Sequence, residues 1–77
     1  MTRLPVLSAR EIIKALCKTG FKEAPKRGKG SHEAFVKISD TGTLLVIIPQ
    51  GKNVPKGTLL AILEQAGISK EDFLRLL

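Results

Sequence analysis

The chain has 77 residues, of which 43% are hydrophobic and 26% are charged. A chain of this length supports one small hydrophobic core, so we expect a single domain over residues 1–77 without a deep pocket for a large cofactor. Its 13 Lys and Arg residues against seven Asp and Glu residues give a formal net charge of +6. This charge favours a polyanionic partner, nucleic acid before an anionic membrane. A basic surface that serves only solubility is the alternative.

Other classes of protein are disfavoured by what the sequence lacks. Cys17 is the only cysteine and His32 the only histidine, so neither an internal disulfide nor a structural zinc site is expected. The longest apolar run, LLVII at 44–48, is too short to span a bilayer, and the N-terminus lacks the apolar segment of a signal peptide. We therefore expect a cytoplasmic protein without a structural zinc site or a membrane span.

The segment LSAREIIKALCKTG carries strong signals for a first helix. Ser8 is placed to cap it, with Glu11 three residues later completing a capping box, and Leu7 and Ile12 suit the hydrophobic contact around that cap. With Gly20 as the residue after its end, the helix is predicted at about 9–19. The predicted apolar stripe is Ile12, Ile13, Leu16 and Cys17. Arg10, Lys14 and Lys18 form a row on another face, which is either solvated or directed at phosphates.

Alternating residues and glycine-containing turns predict an antiparallel sheet next. Pro25 restricts the first strand to a sheet edge, because proline cannot donate a hydrogen bond to a neighbouring strand. TLLVIIP is expected to be a more buried strand than the other two. The predicted strands are 21–27, 31–39 and 43–49, joined by turns at 28–30 and 40–42.

The remaining chain predicts a loop at 50–57 and then two helices. TLLAILEQAG forms an amphipathic helix that Asn53 or Thr58 helps to cap and that ends at Gly67. Ser69 begins a short third helix, KEDFLRLL. The order α–β–β–β–α, with an added C-terminal helix, predicts an α+β fold in which helices cover one face of a three-stranded antiparallel sheet.

The first candidate site is KRGKGSHEAF at 26–35. Imidazole takes and gives a proton near neutral pH, and cations with open glycine amides suit a nearby phosphate. This is the chemistry of RNA cleavage by the 2′-hydroxyl, with His32 as the base. The alternative is that His32 faces the core, in phase with Ala34, Val36 and Ile38. The cations and glycines of the turn are Lys26, Arg27, Lys29, Gly28 and Gly30.

The second candidate site is PQGKNVPKGTL at 49–59. Lys52 and Lys56 precede or begin a helix, whose N-terminus carries a partial positive charge that favours anions. The segment is therefore a candidate phosphate site, and Lys52 is also a candidate for stabilising transition-state charge if the loop folds towards His32. An ordinary basic loop is the alternative.

Nearly the whole chain resembles the HicA toxin family of toxin–antitoxin modules. The resemblance rests on SAREIIKALCKTGF, KGSHEAF and VPKGTLLAILEQAGISKEDFLRLL. It implies a fold like that of double-stranded-RNA-binding domains, metal-independent endoribonuclease activity on mRNA, and neutralisation by a HicB-type antitoxin protein. Any oligomer is expected to form through the antitoxin complex.

The resemblance also assigns roles to residues of the first site. His32 matches the catalytic histidine of the family's GSH motif, with Gly30 and Ser31 as its flank. Many relatives carry a second histidine after the third strand, where this chain has Gln50. Glutamine can hydrogen-bond RNA but cannot shuttle a proton, so His32 is expected to act alone. The leaving oxygen is then protonated by water, by a second protomer, or by Lys29 or Lys52.

Two functions without catalysis remain as alternatives. One is a module that binds duplex RNA by shape, through the first helix and the Lys52/Lys56 segment. The other is a helix-turn-helix DNA-binding protein, because the last two helices are joined at Gly67. The apolar residues of KEDFLRLL suit packing better than base contacts, which disfavours this second alternative.

Overall fold

Three helices and a three-stranded antiparallel sheet appear in the computed structural model, which describes residues 4–24 and 32–77. The α+β order is the predicted one, and the fold is like that of double-stranded-RNA-binding domains. None of the helices in these two ranges is long and apolar enough to cross a membrane. In chain order the elements are α1 (Ala9–Lys18), β1 (Lys22–Glu23), β2 (His32–Ser39), β3 (Gly42–Pro49), α2 (Lys56–Ala66) and α3 (Lys70–Leu76).

The start of α1 has the predicted capping box. The backbone N–H of Glu11 donates to Ser8 Oγ at 3.2 Å, and the Ser8 N–H donates to Glu11 Oε1 at 3.0 Å. Two backbone N–H groups that have no carbonyl acceptor within the helix thereby gain a hydrogen-bond partner. The predicted apolar stripe was wrong at Cys17, which is exposed, because the buried face of α1 runs along Ile12, Ala15 and Leu16 and Cys17 lies beside that face. The buried residues of α1 are Ala9, Ile12, Ala15 and Leu16.

Removal of this cap gives a measurable loss of stability. We expect Ser8→Ala to lower the free energy of unfolding by about 1 kcal/mol, because the Glu11 N–H loses its acceptor. Urea denaturation followed by circular dichroism measures the change. Lys14→Ala, an exposed change on the same helix, is the control. An unchanged denaturation midpoint for Ser8→Ala would show that the capping box contributes nothing.

The central strand of the sheet is β2, with β1 and β3 at the two edges. Strands β2 and β3 each have two buried residues. The prediction that residues 43–49 form the most buried strand was therefore wrong. β1 is also shorter than the predicted strand 21–27, and the part of that prediction from Pro25 onward lies outside the described residues. The same holds for the predicted turn at 28–30. The hairpin turn at 40–42 is confirmed, with Ser39 opposite Gly42.

One face of the sheet contacts the helices, and none of the described helices covers the other, which we call the open face. Phe35, Val46 and Ile48 point into the core, where Phe35 lies opposite Val46 in the β2–β3 register. Residues of the other phase lie on the open face, and two of them are exposed apolar side chains, Ile38 at 82% and Leu45 at 40%. The helices contribute the rest of the core, which includes Ile12, Leu16, Leu59, Ile62, Leu63 and Phe73.

Helix α2 begins at Lys56, two residues earlier than predicted, and neither Asn53 nor Thr58 caps it. Pro55 is the N-cap residue, and no side chain donates or accepts a capping hydrogen bond. The proline ring holds φ at −57°, close to the value a helix requires, and the Pro55 carbonyl accepts from the Leu59 N–H at 2.9 Å. Backbone geometry thus starts this helix without a polar cap.

The predicted glycine end of α2 and the serine start of α3 are confirmed. Gly67 has a φ of 69°, which L-residues adopt only with strain. The Gly67 N–H donates to the Glu64 carbonyl at 3.2 Å and the Ile68 N–H to the Leu63 carbonyl at 3.0 Å, the pattern of a Schellman motif. The Ser69 side chain then accepts from the Asp72 N–H, so α3 turns back onto the core.

Helix α3 is held to α1 by one buried ring and one lysine. Phe73 is fully buried, and Lys18 Nζ donates to the Leu76 carbonyl at 2.8 Å. A cation at this position suits the partial negative charge of a helix C-terminus. Lys18 therefore has a structural role, which separates it from the other two cations of the predicted α1 row.

Candidate functional site

His32 is the first residue of β2 and lies opposite Pro49 of β3. Its side chain is exposed, so the alternative that this histidine packs into the core was wrong. The reason is the alternation of the strand: Phe35 faces the core, and His32 belongs to the other phase with Ala34 and Val36. The imidazole is thus free to meet a ligand at the end of the sheet.

His32 lines a groove whose walls are formed by the ends of β2 and β3 and by α2. The groove has a volume of about 480 Å³. Ile62 is buried in the core and also borders the groove, so the packing of α2 against the sheet positions this wall. The described residues that line it are His32, Ile47, Pro49, Gly57, Thr58, Ala61, Ile62 and Gln65.

A second pocket, of about 630 Å³, lies on the α1 side of the sheet. Glu33 reaches it because consecutive strand residues point to opposite faces, and Gln50 Nε2 donates to Glu33 Oε1 at 3.3 Å. The exposed cations Arg10 and Lys52 also line it. We refer to it as the basic pocket.

Backbone hydrogen bonds bring the two cations of the basic pocket together. The Ala9 N–H donates to the Gly51 carbonyl at 2.9 Å, and the Val54 N–H donates to the Leu7 carbonyl at 2.8 Å. The loop after β3 is therefore held against the start of α1. Lys52 lines the same pocket as Arg10, and it is absent from the described lining of the His32 groove.

The structure thus divides the predicted site residues between two places. His32 lies in the groove, whereas Gln50 and Lys52 lie in the basic pocket. Lys56 is the exposed first residue of α2, directly before Gly57 of the groove. The other predicted site residues, Lys26, Arg27, Lys29, Gly30 and Ser31, lie outside the described residues.

The comparison with protein families identifies the chain. A model of the family described as HicA toxin of bacterial toxin–antitoxin matches residues 9–68. The chain belongs to the HicA toxin family. A search of curated proteins found no match.

The HicA match includes the described lining of the groove and, except for Ser8, that of the basic pocket, and it excludes α3. Within the described ranges, no group of three or more His, Cys, Asp or Glu residues is placed to hold a metal ion.

Several residues around the HicA groove were not indicated by the sequence. Thr58, Ala61 and Gln65 are ordinary helix residues, and no local pattern shows which element α2 will face. Arg10 had a weak signal, because its row with Lys14 and Lys18 was read as either solvated or phosphate-directed. Only the hydrogen bonds between the loop and the start of α1 show that Arg10, of the three cations in that row, lines the same pocket as Lys52.

Proposed function

We propose that this HicA-family chain is an endoribonuclease toxin that cleaves mRNA without a metal, with His32 as its catalytic base. The observation that carries the proposal is the exposed imidazole of His32 in a groove at the end of the sheet. Family membership and the net charge of +6 support an RNA substrate. The proposed site functions as part of one domain over residues 1–77 in the cytoplasm.

The proposed reaction is transesterification within the RNA. The neutral imidazole of His32 accepts the proton of a 2′-hydroxyl, and that oxygen attacks the adjacent phosphorus. The bond from phosphorus to the 5′-oxygen breaks, leaving a 2′,3′-cyclic phosphate on one fragment. The departing 5′-oxygen receives a proton from water, from Lys29 or from a second protomer; Lys52, the other candidate, lines the basic pocket and not the groove of His32. One well-placed acid–base group contributes about 10²–10⁴-fold, which is sufficient for a slow ribonuclease.

Cations outside the groove are proposed to hold the RNA backbone. Arg10 and Lys52 are exposed and line the same basic pocket, and Lys56 is the first residue of α2, where the helix end also favours anions. In the proposal, Gln50 donates one amide hydrogen to Glu33, and its second amide hydrogen and its carbonyl oxygen form hydrogen bonds with RNA. The glycine turn adds Lys26, Arg27, Lys29, Gly30 and Ser31.

The proposed inhibitory partner is a HicB-type antitoxin. Membership of a toxin–antitoxin family implies a neutralising partner, and the basic charge of this chain favours an acidic complementary surface. Any higher assembly is proposed to form through this complex. Binding that covers His32 blocks access of RNA to the imidazole.

RNA cleavage by the purified chain tests the proposal. We expect cleavage of mRNA into fragments ending in 2′,3′-cyclic phosphates, at the same rate with and without EDTA. Mass spectrometry of the fragment ends identifies the chemistry, and addition of the HicB-type antitoxin is expected to stop it. RNA binding without cleavage in a preparation free of contaminating nucleases would overturn the proposed activity.

A non-catalytic module for duplex RNA is the second candidate function. The observation that favours it is the basic pocket, where α1 and the loop before α2 present cations together. It predicts salt-sensitive duplex binding and no cleavage. The helix-turn-helix alternative is less compatible with the structure, because α3 directs Phe73 into the core.

A further inference from the structure

The groove beside His32 differs chemically from the rest of this basic protein. Among the described residues that line it, none carries a permanent charge, whereas Arg10 and Lys52 lie in the basic pocket. A phosphate group placed in the groove would lose water without gaining a counter-charge from these residues. The groove therefore suits an uncharged part of a substrate, and the phosphates suit the cations outside it.

The groove has apolar walls and two polar groups on one side. Ile47 and Pro49 of β3 face Ala61 of α2, and the polar side chains are those of Thr58 and Gln65. Within the part of the chain that the structure describes, neither of these two side chains has a hydrogen-bond partner. An apolar slot with a few convergent hydrogen-bonding groups is typical of sites for small organic molecules, which occupy about 300–1,000 Å³.

The groove residues of α2 lie on one face of that helix. Gly57, Ala61 and Gln65 follow one another at intervals of four residues, so they share a helix face, with Thr58 beside them. Both Gly57 and Ala61 are small and exposed, and a Cβ atom at Gly57 would meet no atom within 4 Å. The side chains at these two positions therefore do not fill the slot between His32 and Gln65.

We propose that this groove binds the base of the nucleotide on the 5′ side of the cleaved bond, and that Gln65 and Thr58 read the edge of that base. The inference rests on the proposed ribonuclease function. The 2′-hydroxyl of this nucleotide has to reach His32, so its base is the one nearest the groove. Proteins read single-stranded RNA by hydrogen bonds to the edges of unstacked bases. A glutamine amide, which offers a donor and an acceptor together, pairs with such an edge in a bidentate manner.

Cleavage of a random-sequence RNA pool, with sequencing of the fragment ends, tests this inference. The wild-type protein is expected to prefer one base at the position 5′ to the cut. Gln65→Leu keeps the size of the side chain but removes both hydrogen-bonding groups. This change is expected to lower discrimination at that single position about tenfold, the effect of one bidentate pair. Glu64→Leu, on the neighbouring exposed position outside the groove, is the matched control and is expected to keep the wild-type profile.

A second variant tests the groove by filling it. Ala61→Leu is expected to lower kcat/KM for RNA cleavage about tenfold, because the base no longer enters, while binding of long RNA changes little since the cations remain. Circular dichroism confirms that each variant is folded. Wild-type cleavage with the same base profile and rate in Gln65→Leu and Ala61→Leu would overturn the base site and leave the ribonuclease intact. Absence of wild-type cleavage would instead overturn the proposed function, and the base site with it.

Discussion

Replacement of His32 by Ala is expected to lower the rate of RNA cleavage by about 10²–10⁴-fold, the contribution of one acid–base group. The loss is expected at the chemical step, because no other histidine exists in the chain to take the proton. Initial rates on a defined RNA measure the effect. Growth of cells that express either form gives the second readout, and the variant is expected to be harmless.

Because His32 is exposed, its removal should leave the fold intact, since surface substitutions typically change stability by less than about 0.5 kcal/mol. Equal denaturation midpoints for wild type and variant are thus the control for folding. Thr43→Ala, an exposed change on the same sheet beyond the groove, is the matched control for activity and should cleave like wild type. A His32→Ala protein that retains full cleavage would eliminate the proposed mechanism.

The largest effect on stability is expected for Phe73→Ala, with a loss of about 3–5 kcal/mol in the free energy of unfolding. Phe73 is fully buried against the core from α3, so its removal leaves a cavity beneath that helix. Small domains have total stabilities of about 5–15 kcal/mol. A domain of 77 residues lies towards the lower end of that range, where this loss removes most of the stability. The variant is therefore expected to be partly unfolded at 37 °C and to lose growth inhibition for that reason.

Urea denaturation measures this loss, with Ile38→Ala as the control. Ile38 is 82% exposed on the open face, and its truncation is expected to cost less than about 0.5 kcal/mol. Phe73→Leu should fall between the two, because it restores part of the buried volume. Equal losses for Phe73→Ala and Ile38→Ala would show that α3 does not stabilise the domain.

The prediction for Phe73 has a bearing on the extent of the domain. The family match ends at residue 68, before α3. The core nevertheless includes Phe73, and Lys18 of α1 contacts the end of α3. A fragment limited to the matched residues would expose the apolar surface that α3 covers, so we regard α3 as part of the folded unit.

Local signals predicted most of the fold. The Ser8–Glu11 capping box, the turn between β2 and β3, and the glycine end of α2 each depend on residues close together in the chain, and all three are confirmed. The failures concern longer-range packing. Which strand is central, and how deeply Cys17 is buried, depend on where the helices settle. The early start of α2 was missed because a proline replaced the expected polar cap.

The candidate site was less predictable than the fold. His32 was found from its motif, but the side of the sheet it faces follows from the pairing of β2 with β3. The residues that share its groove, such as Thr58 and Gln65, come from a helix that begins far along the chain. Likewise, the hydrogen bond between Gln50 and Glu33 joins residues with no sequence signal for contact.

The assignment of His32 to the groove and Glu33 to the basic pocket depends on the pairing of two eight-residue strands. The turn at Asp40 and Thr41 sets that pairing from the opposite end of the hairpin. A shift by one residue would exchange the two side chains, presenting a carboxylate where the proposed base stands. The length of a distant turn is therefore itself a determinant of which acid–base group lines the groove.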